Sequence, residues 1–217
     1  MKNLLILDNS AVSDAIRKGL KDLGTSKTCT LQKASLLTSG TFNSIVISSH
    51  SFAYDNEMSE EDVLNMYKAD VIAFDKVLSK SPDLLPDGGK IVVILSMDGL
   101  QSSFASKHYS AIHAARKSLI QSYGNVLASR NISINGIALG WIDDVLDAGD
   151  DENTAAIKET ARKYNPFKRL GQPDEVAELV RTLLQLNTGF LNGHVVNFDG
   201  GQVNVNPVTQ LEWEQRG

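Results

Sequence analysis

The sequence predicts a doubly wound α/β fold built on an open parallel sheet, and three observations lead there. Short, almost wholly apolar runs, Leu4–Leu7, Ile45–Ser48 and Lys90–Ser96, read as strands covered on both faces. Stretches with 3.6-residue apolar spacing separate them, as helices crossing over a parallel sheet require. A length of 217 residues with 42% hydrophobic content and no break in composition fits one domain, residues 1–217, with a sizeable core.

The elements follow in order. Leu4–Leu7 is the first strand, and Ala15–Leu23 the helix after it, closed by Gly24. Only the twenty residues Thr25–Ser44 then precede the strand Ile45–Ser48, whereas a complete β-α-β unit takes about thirty. The gap holds one strand, placed at Lys27–Leu31, and a turn of helix at Ala34–Leu37, so the sheet is shortened between its second and third strands. Ser59-Glu60-Glu61-Asp62 reads as a capping box opening a helix to about Ser79. Its stripe is Val63, Met66, Tyr67, Val71, Phe74, Val77 and Leu78, with Asp70 among them. Lys90–Ser96 is a strand ending in serine, and a helix from about Ser106 to Ser129 puts Tyr109 and His113, four apart, on one face. Six acids between Asp143 and Glu152 read as a solvated loop before the helix Asn153–Tyr164. That stretch and the helix Asn153–Tyr164, with the loop from Ser96 to Ala105, are the expected lid over the carboxyl ends of the strands, where open α/β sheets place ligands.

A net charge of −5 with no Lys/Arg-rich run disfavours nucleic acid or an anionic membrane as partner and suits a small neutral or cationic ligand. The lone Cys29 allows no internal disulfide, and the apolar run at Leu4–Leu7 is too short for a signal or spanning segment. A cytoplasmic protein is expected. His50 and His108 fall near the cleft, but no His/Cys/Asp cluster has metal-ligand spacing, so no metal is expected.

The run Ser96, twelve residues, then Tyr109-Ser110-Ala111-Ile112-His113 resembles the active-site pattern of the short-chain dehydrogenase/reductase family, serine followed by Tyr-x-x-x-Lys, with histidine at the lysine position. Three further segments carry the resemblance: Ile134–Asp143 with the family's N-x-I-x-P-G-x-I, Asn165–Ala177 with its P-x-x-R-x-G-x-P-E-E-V-A, and Gly193–Gly201 with its terminal V-D-G-G strand. The resemblance implies a Rossmann-like fold, a nicotinamide cofactor (NAD or NADP), Tyr109 as acid/base and Ser96 as hydrogen-bond partner of the reacting oxygen. His113 replaces the lysine, and Asp70 stands where the family has an asparagine. It further implies homodimers or homotetramers formed through the helices at 59–79 and 106–129.

The departures concentrate on one ligand. Where the family shows a glycine loop that brings backbone and a helix amino terminus to the pyrophosphate, this chain has Leu7-Asp8-Asn9-Ser10-Ala11-Val12-Ser13-Asp14. Asp8 or Asp14 near a phosphate would cost about 3–4 kcal/mol per charge pair at an effective dielectric near 20. Asp8, Asn9, Ser10 and Ser13 can also cap the helix themselves. Asp144 stands at the family's nicotinamide-contacting threonine, Ser48-Ser49-His50 replaces Asn-Ala-Gly, and the adenosine wall is trimmed. Ordinary NAD(P) binding is therefore expected to be lost, leaving a Ser96-Tyr109-His113 site for a small molecule, with Asp70 completing a Tyr-His-Asp relay. Halohydrin dehalogenases resemble this chain in keeping serine and tyrosine while replacing lysine and discarding the cofactor. The alternatives are an NAD(P)H-dependent carbonyl or alcohol oxidoreductase with unusual cofactor contacts, and a non-catalytic partner of a homologous subunit. Trp141 is expected to line the cleft and Trp213 to anchor the tail to a neighbour.

Overall fold

Successive residues of the first strand, β1 (Lys2–Leu7), enter two different apolar layers, and this period of two sets the architecture. Leu4 and Ile6 join one core with Ile45, Ile47, Ile91, Val93 and Leu95, while Leu5 and Leu7 join a second with Val46, Val92 and Ile94. The described residues of this computed structural model are 1–49, 58–101, 106–143, 152–206 and 209–210. His50, Asp144, Trp213 and, of the expected lid, residues 102–105 and 144–151 lie outside them.

Six parallel strands form the sheet in the order β2-β1-β3-β4-β5-β6. After β1 come α1 (Ala11–Gly19), β2 (Thr25–Cys29), α2 (Leu31–Ala34) and β3 (Ser44–Ser48). The helices α3 (Glu60–Tyr67) and α4 (Ala73–Leu84) lead to β4 (Lys90–Ser96), α5 (Lys107–Leu127) and β5 (Ser133–Leu139). The chain continues through α6 (Glu152–Tyr164), α7 (Pro173–Gln185) and β6 (Val195–Phe198). Helices α2, α4 and α5 cover one face through Leu31, Phe74, Leu78 and Ile120; α1 and α7 cover the other through Val12, Ile16, Val176 and Val180. Each such fully buried aliphatic or aromatic side chain contributes about 1.5–3 kcal/mol.

The shortened leading edge is present: among the described residues a single strand, β2, lies beyond β1. Its Thr25-Ser26-Lys27-Thr28 is exposed, a polar edge of the kind that discourages pairing with another chain. The strand sits two residues earlier than the sequence placed it, because no apolar alternation marks its register. Likewise α1 begins at Ala11 rather than Ala15, since its first turn is held by side-chain capping instead of apolar contacts.

The capping box at Ser59 forms in full: its hydroxyl accepts from the Asp62 N–H, and the Asp62 carboxylate accepts from the Ser59 N–H at 3.0 Å. The helix after it differs from the single element expected. A five-residue π-helical turn, Lys68–Ile72, separates α3 from α4, and Asp70 is at its centre. Helix α4 also runs past Ser79 and through Pro82 to Leu84. Proline offers no N–H to the carbonyl four residues back, Leu78; the Ser81 hydroxyl donates to that oxygen instead, at 2.7 Å.

Candidate functional site

The end of β4 and the first turns of α5 bring Ser96, Tyr109 and His113 together. Gly99, in the 3-10 turn Met97–Gly99 that follows β4, lies so close to the His113 backbone that only a residue without a Cβ fits. That contact sets the separation between strand end and helix. The Ser96 N–H donates to His113 Nδ1 at 3.1 Å, the two rings of Tyr109 and His113 meet edge to face with centroids 4.4 Å apart, and the Tyr109 hydroxyl is hydrogen-bonded to the Ser96 side chain. His113 is fully buried and Tyr109 nearly so.

Burial is the main reason the Tyr109 phenol is pushed well above its ordinary value; Asp98 and Asp70 add to the rise, while the Ser96 hydrogen bond and the Arg116 charge oppose it. A phenol in that condition is a hydrogen-bond donor across the neutral range. Burial also raises the carboxyl of Asp98, two residues beyond Ser96.

Asp70 is not where a Tyr-His-Asp relay needs it. Its carboxylate pairs with Arg116, Nη2 to Oδ1 at 2.8 Å, with side-chain exposures of 0% and 4%, and its second oxygen is buried without a hydrogen-bond partner. Neither oxygen bonds His113, and Asp70 is only 3% exposed. Arg116 also donates from Nε to the Asp70 carbonyl (2.7 Å) and from Nη1 to the Ser49 carbonyl (2.6 Å), just beyond β3. Sequence reasoning missed Arg116. The signal available was its position seven residues after Tyr109, on the same helical face as His113.

The turn between β1 and α1 is filled by its own side chains. Asp8 Oδ1 accepts from the Ser10 N–H (3.0 Å), the Ser10 hydroxyl (2.6 Å) and the Ser13 hydroxyl (2.7 Å). Ser10 caps α1 by accepting from the Ser13 N–H at 3.2 Å, and Ser13, fully buried, reaches the Ser48 carbonyl and hydroxyl at the end of β3.

Trp141, two residues past Leu139, which is registered against Ser96, borders a cavity of about 380 Å³. Ile157, Thr160 and Ala161 of α6, Tyr164 and Gln202 complete most of its wall. His108 packs edge-on against Tyr67, ring centroids 6.0 Å apart. Among the described residues no group of three His, Cys, Asp or Glu side chains could hold a metal, and no helix is long and apolar enough to cross a membrane.

A parallel sheet in the order β2-β1-β3-β4-β5-β6, with helices on both faces and polar side chains gathered at the carboxyl ends of its strands, defines the doubly wound α/β class. A family model described as "Enoyl-(Acyl carrier protein) reductase" matches residues 32–202, and the chain belongs to the short-chain dehydrogenase/reductase family. Among curated relatives, a 3-oxoacyl-[acyl-carrier-protein] reductase of Thermotoga maritima is 30% identical over 115 residues, 53% of this chain and 46% of that protein. A 7alpha-hydroxysteroid dehydrogenase of Escherichia coli is 27% identical over 149 residues, 68% of this chain and 58% of that protein. The chain thus spans about half the length of the curated relatives it matches. Similar solved structures include a putative 2-deoxy-d-gluconate 3-dehydrogenase from Agrobacterium tumefaciens with bound NADP, with a TM-score of 0.81 at 20% identity over 94% of this chain and 97% of that one. Another is a short chain dehydrogenase family protein from Francisella tularensis, with a TM-score of 0.80 at 19% identity over 94% and 100%. At such identities the structures speak for the fold alone.

Proposed function

We propose that this chain is a family member whose first turn no longer takes a nicotinamide dinucleotide, and whose strand-end cleft holds a small molecule through Tyr109 and Ser96. The observation that carries the reading is the Asp8 carboxylate. It accepts three hydrogen bonds inside the β1–α1 turn, and Ser10 caps the helix that a pyrophosphate would have to approach. A phosphate there would meet a fixed negative charge and would have to break those bonds. The residues of this turn do not fit the group. A protonated Tyr109 and the hydroxyl of Ser96 then act on a ligand oxygen as polar anchors, with His113 orienting Ser96 from behind through its backbone N–H.

The second reading, an NAD(P)H-dependent carbonyl or alcohol oxidoreductase, is favoured by the reductase and dehydrogenase activities of the named relatives. Calorimetric titration with NAD⁺, NADH, NADP⁺ and NADPH separates the two. The first expects dissociation constants weaker than about 1 mM for all four, under about 4 kcal/mol; micromolar binding of any one overturns the first and favours the second. We further propose self-association through α3–α4 and α5, where Leu64, Ile72 and Val126 are exposed. A monomer in sedimentation at micromolar concentration removes that part of the proposal.

A further inference from the structure

We propose that Arg116, and not His113, is the fixed cation of this site, a positioning residue that sets the electrostatic potential at the Tyr109 hydroxyl. Tyr109, His113 and Arg116 stand at i, i+4 and i+7 on α5, one face of the helix. Because His113 Nδ1 accepts the Ser96 N–H, that nitrogen carries no proton, and the imidazole in this arrangement is uncharged. Arg116 keeps its charge in any surroundings a protein offers.

The guanidinium is built in rather than merely enclosed. It is fully buried, 5.2 Å from the Phe74 ring centroid, and its fork ends on three oxygens: the Asp70 carbonyl, the Asp70 carboxylate and the Ser49 carbonyl. Two of those three are neutral, so among the described residues Asp70 is the only counter-charge in direct contact. A buried pair of this kind adds little to stability compared with apolar side chains of the same size. What it adds is a fixed orientation of charge between the π-turn, the end of β3 and α5. The described charged groups that bear on Tyr109 are Asp98 from the turn after β4, which weighs most, Arg116 from its own helix, which opposes it, and Asp70 from the π-turn, which weighs least.

The inference rests on the reading of Tyr109 as the ligand-facing donor, and its test needs no ligand, so tight nucleotide binding would overturn the loss of the cofactor site without deciding the role of Arg116. Trifluorotyrosine placed at position 109 makes the phenol acidic enough to titrate in the folded chain, and its ionisation is followed by fluorine NMR. Arg116→Met is expected to raise the midpoint by about one pH unit, a tenfold loss of acidity, Arg116→Lys to leave it within about 0.3 unit, and Asp70→Asn to lower it. Opposite signs for Arg116→Met and Asp70→Asn are the signature of charge; a purely structural role moves both the same way. Shifts of the same sign, or none, overturn the proposal. Should Arg116→Met not fold, Asp70→Asn decides: a lowered midpoint supports the proposal and an unmoved or raised one ends it.

Discussion

A Cβ built on Gly99 would stand 2.7 Å from both the carbonyl carbon and the Cβ of His113 and 3.0 Å from the Ala114 nitrogen. Two of those three atoms belong to a helix backbone, which cannot give way as a flexible side chain would. Gly99→Ala is therefore expected to push α5 off the end of β4, costing about 1–3 kcal/mol in urea unfolding. The local reading is sharper. Amide exchange at Ser96, whose N–H is held by His113, should accelerate while that of Val93 in the same strand stays slow. Unchanged protection at Ser96 contradicts the account of how strand and helix are spaced.

Removing either partner of the Asp70–Arg116 pair leaves a buried charge uncompensated, so Asp70→Leu and Arg116→Met should each cost about 3–5 kcal/mol. The double variant should lose much less than the sum, because two apolar side chains need no counter-charge. Denaturant midpoints of the four proteins check this. Strict additivity would show that the two residues do not depend on each other.

Asp98 links stability to pH. Burial raises its carboxyl above the ordinary 3.8, so the folded chain holds the proton to higher pH than the unfolded chain does. Its contribution is fully present below that ordinary value and lost as pH climbs through the folded one, leaving a burdened anion at neutrality. Asp98→Asn should accordingly melt higher than the parent at pH 7, by under about 1 kcal/mol after solvent screening. The gain should vanish in melts near pH 3.5, about where the unfolded carboxyl takes its proton. A variant no more stable than the parent at neutral pH counts against this.

Restoring the family residue, His113→Lys, is expected not to create nicotinamide-dependent reduction of small ketones with NADH or NADPH. Such reduction needs the hydride donor held in place first, and the filled β1–α1 turn is untouched by the change. Cofactor oxidation gained by this one substitution would mean that Asp8 and Ser10 are no obstacle.

Where local chemistry decides a feature, the sequence displays it. Apolar runs gave β1, β3 and β4, Ser59 and Asp62 marked a helix start, and the twenty residues before β3 left room for only one strand. The polar turn after β1 carried its capping side chains in plain view. The π-turn left no such trace, because one extra residue in a turn leaves the apolar stripe from Val63 to Leu78 intact on paper. Arg116 was hidden for a related reason. In Ala114-Ala115-Arg116-Lys117 it reads like a solvated charge, and only the strand end at Ser49 and the oxygens of Asp70, both distant in sequence, make an interior position tolerable.

The exchange at the end of α4 has a bearing on how this sequence can change over time. Leu78 receives from Ser81 the hydrogen bond that Pro82 cannot give. Alanine at 81 would be harmless beside most residues at 82, and proline at 82 is tolerable beside this serine, yet alanine and proline together would leave a buried carbonyl bare. The two positions are thus bound by epistasis. A lineage could acquire the serine first and the proline second at little cost, and could give them up only in the reverse order.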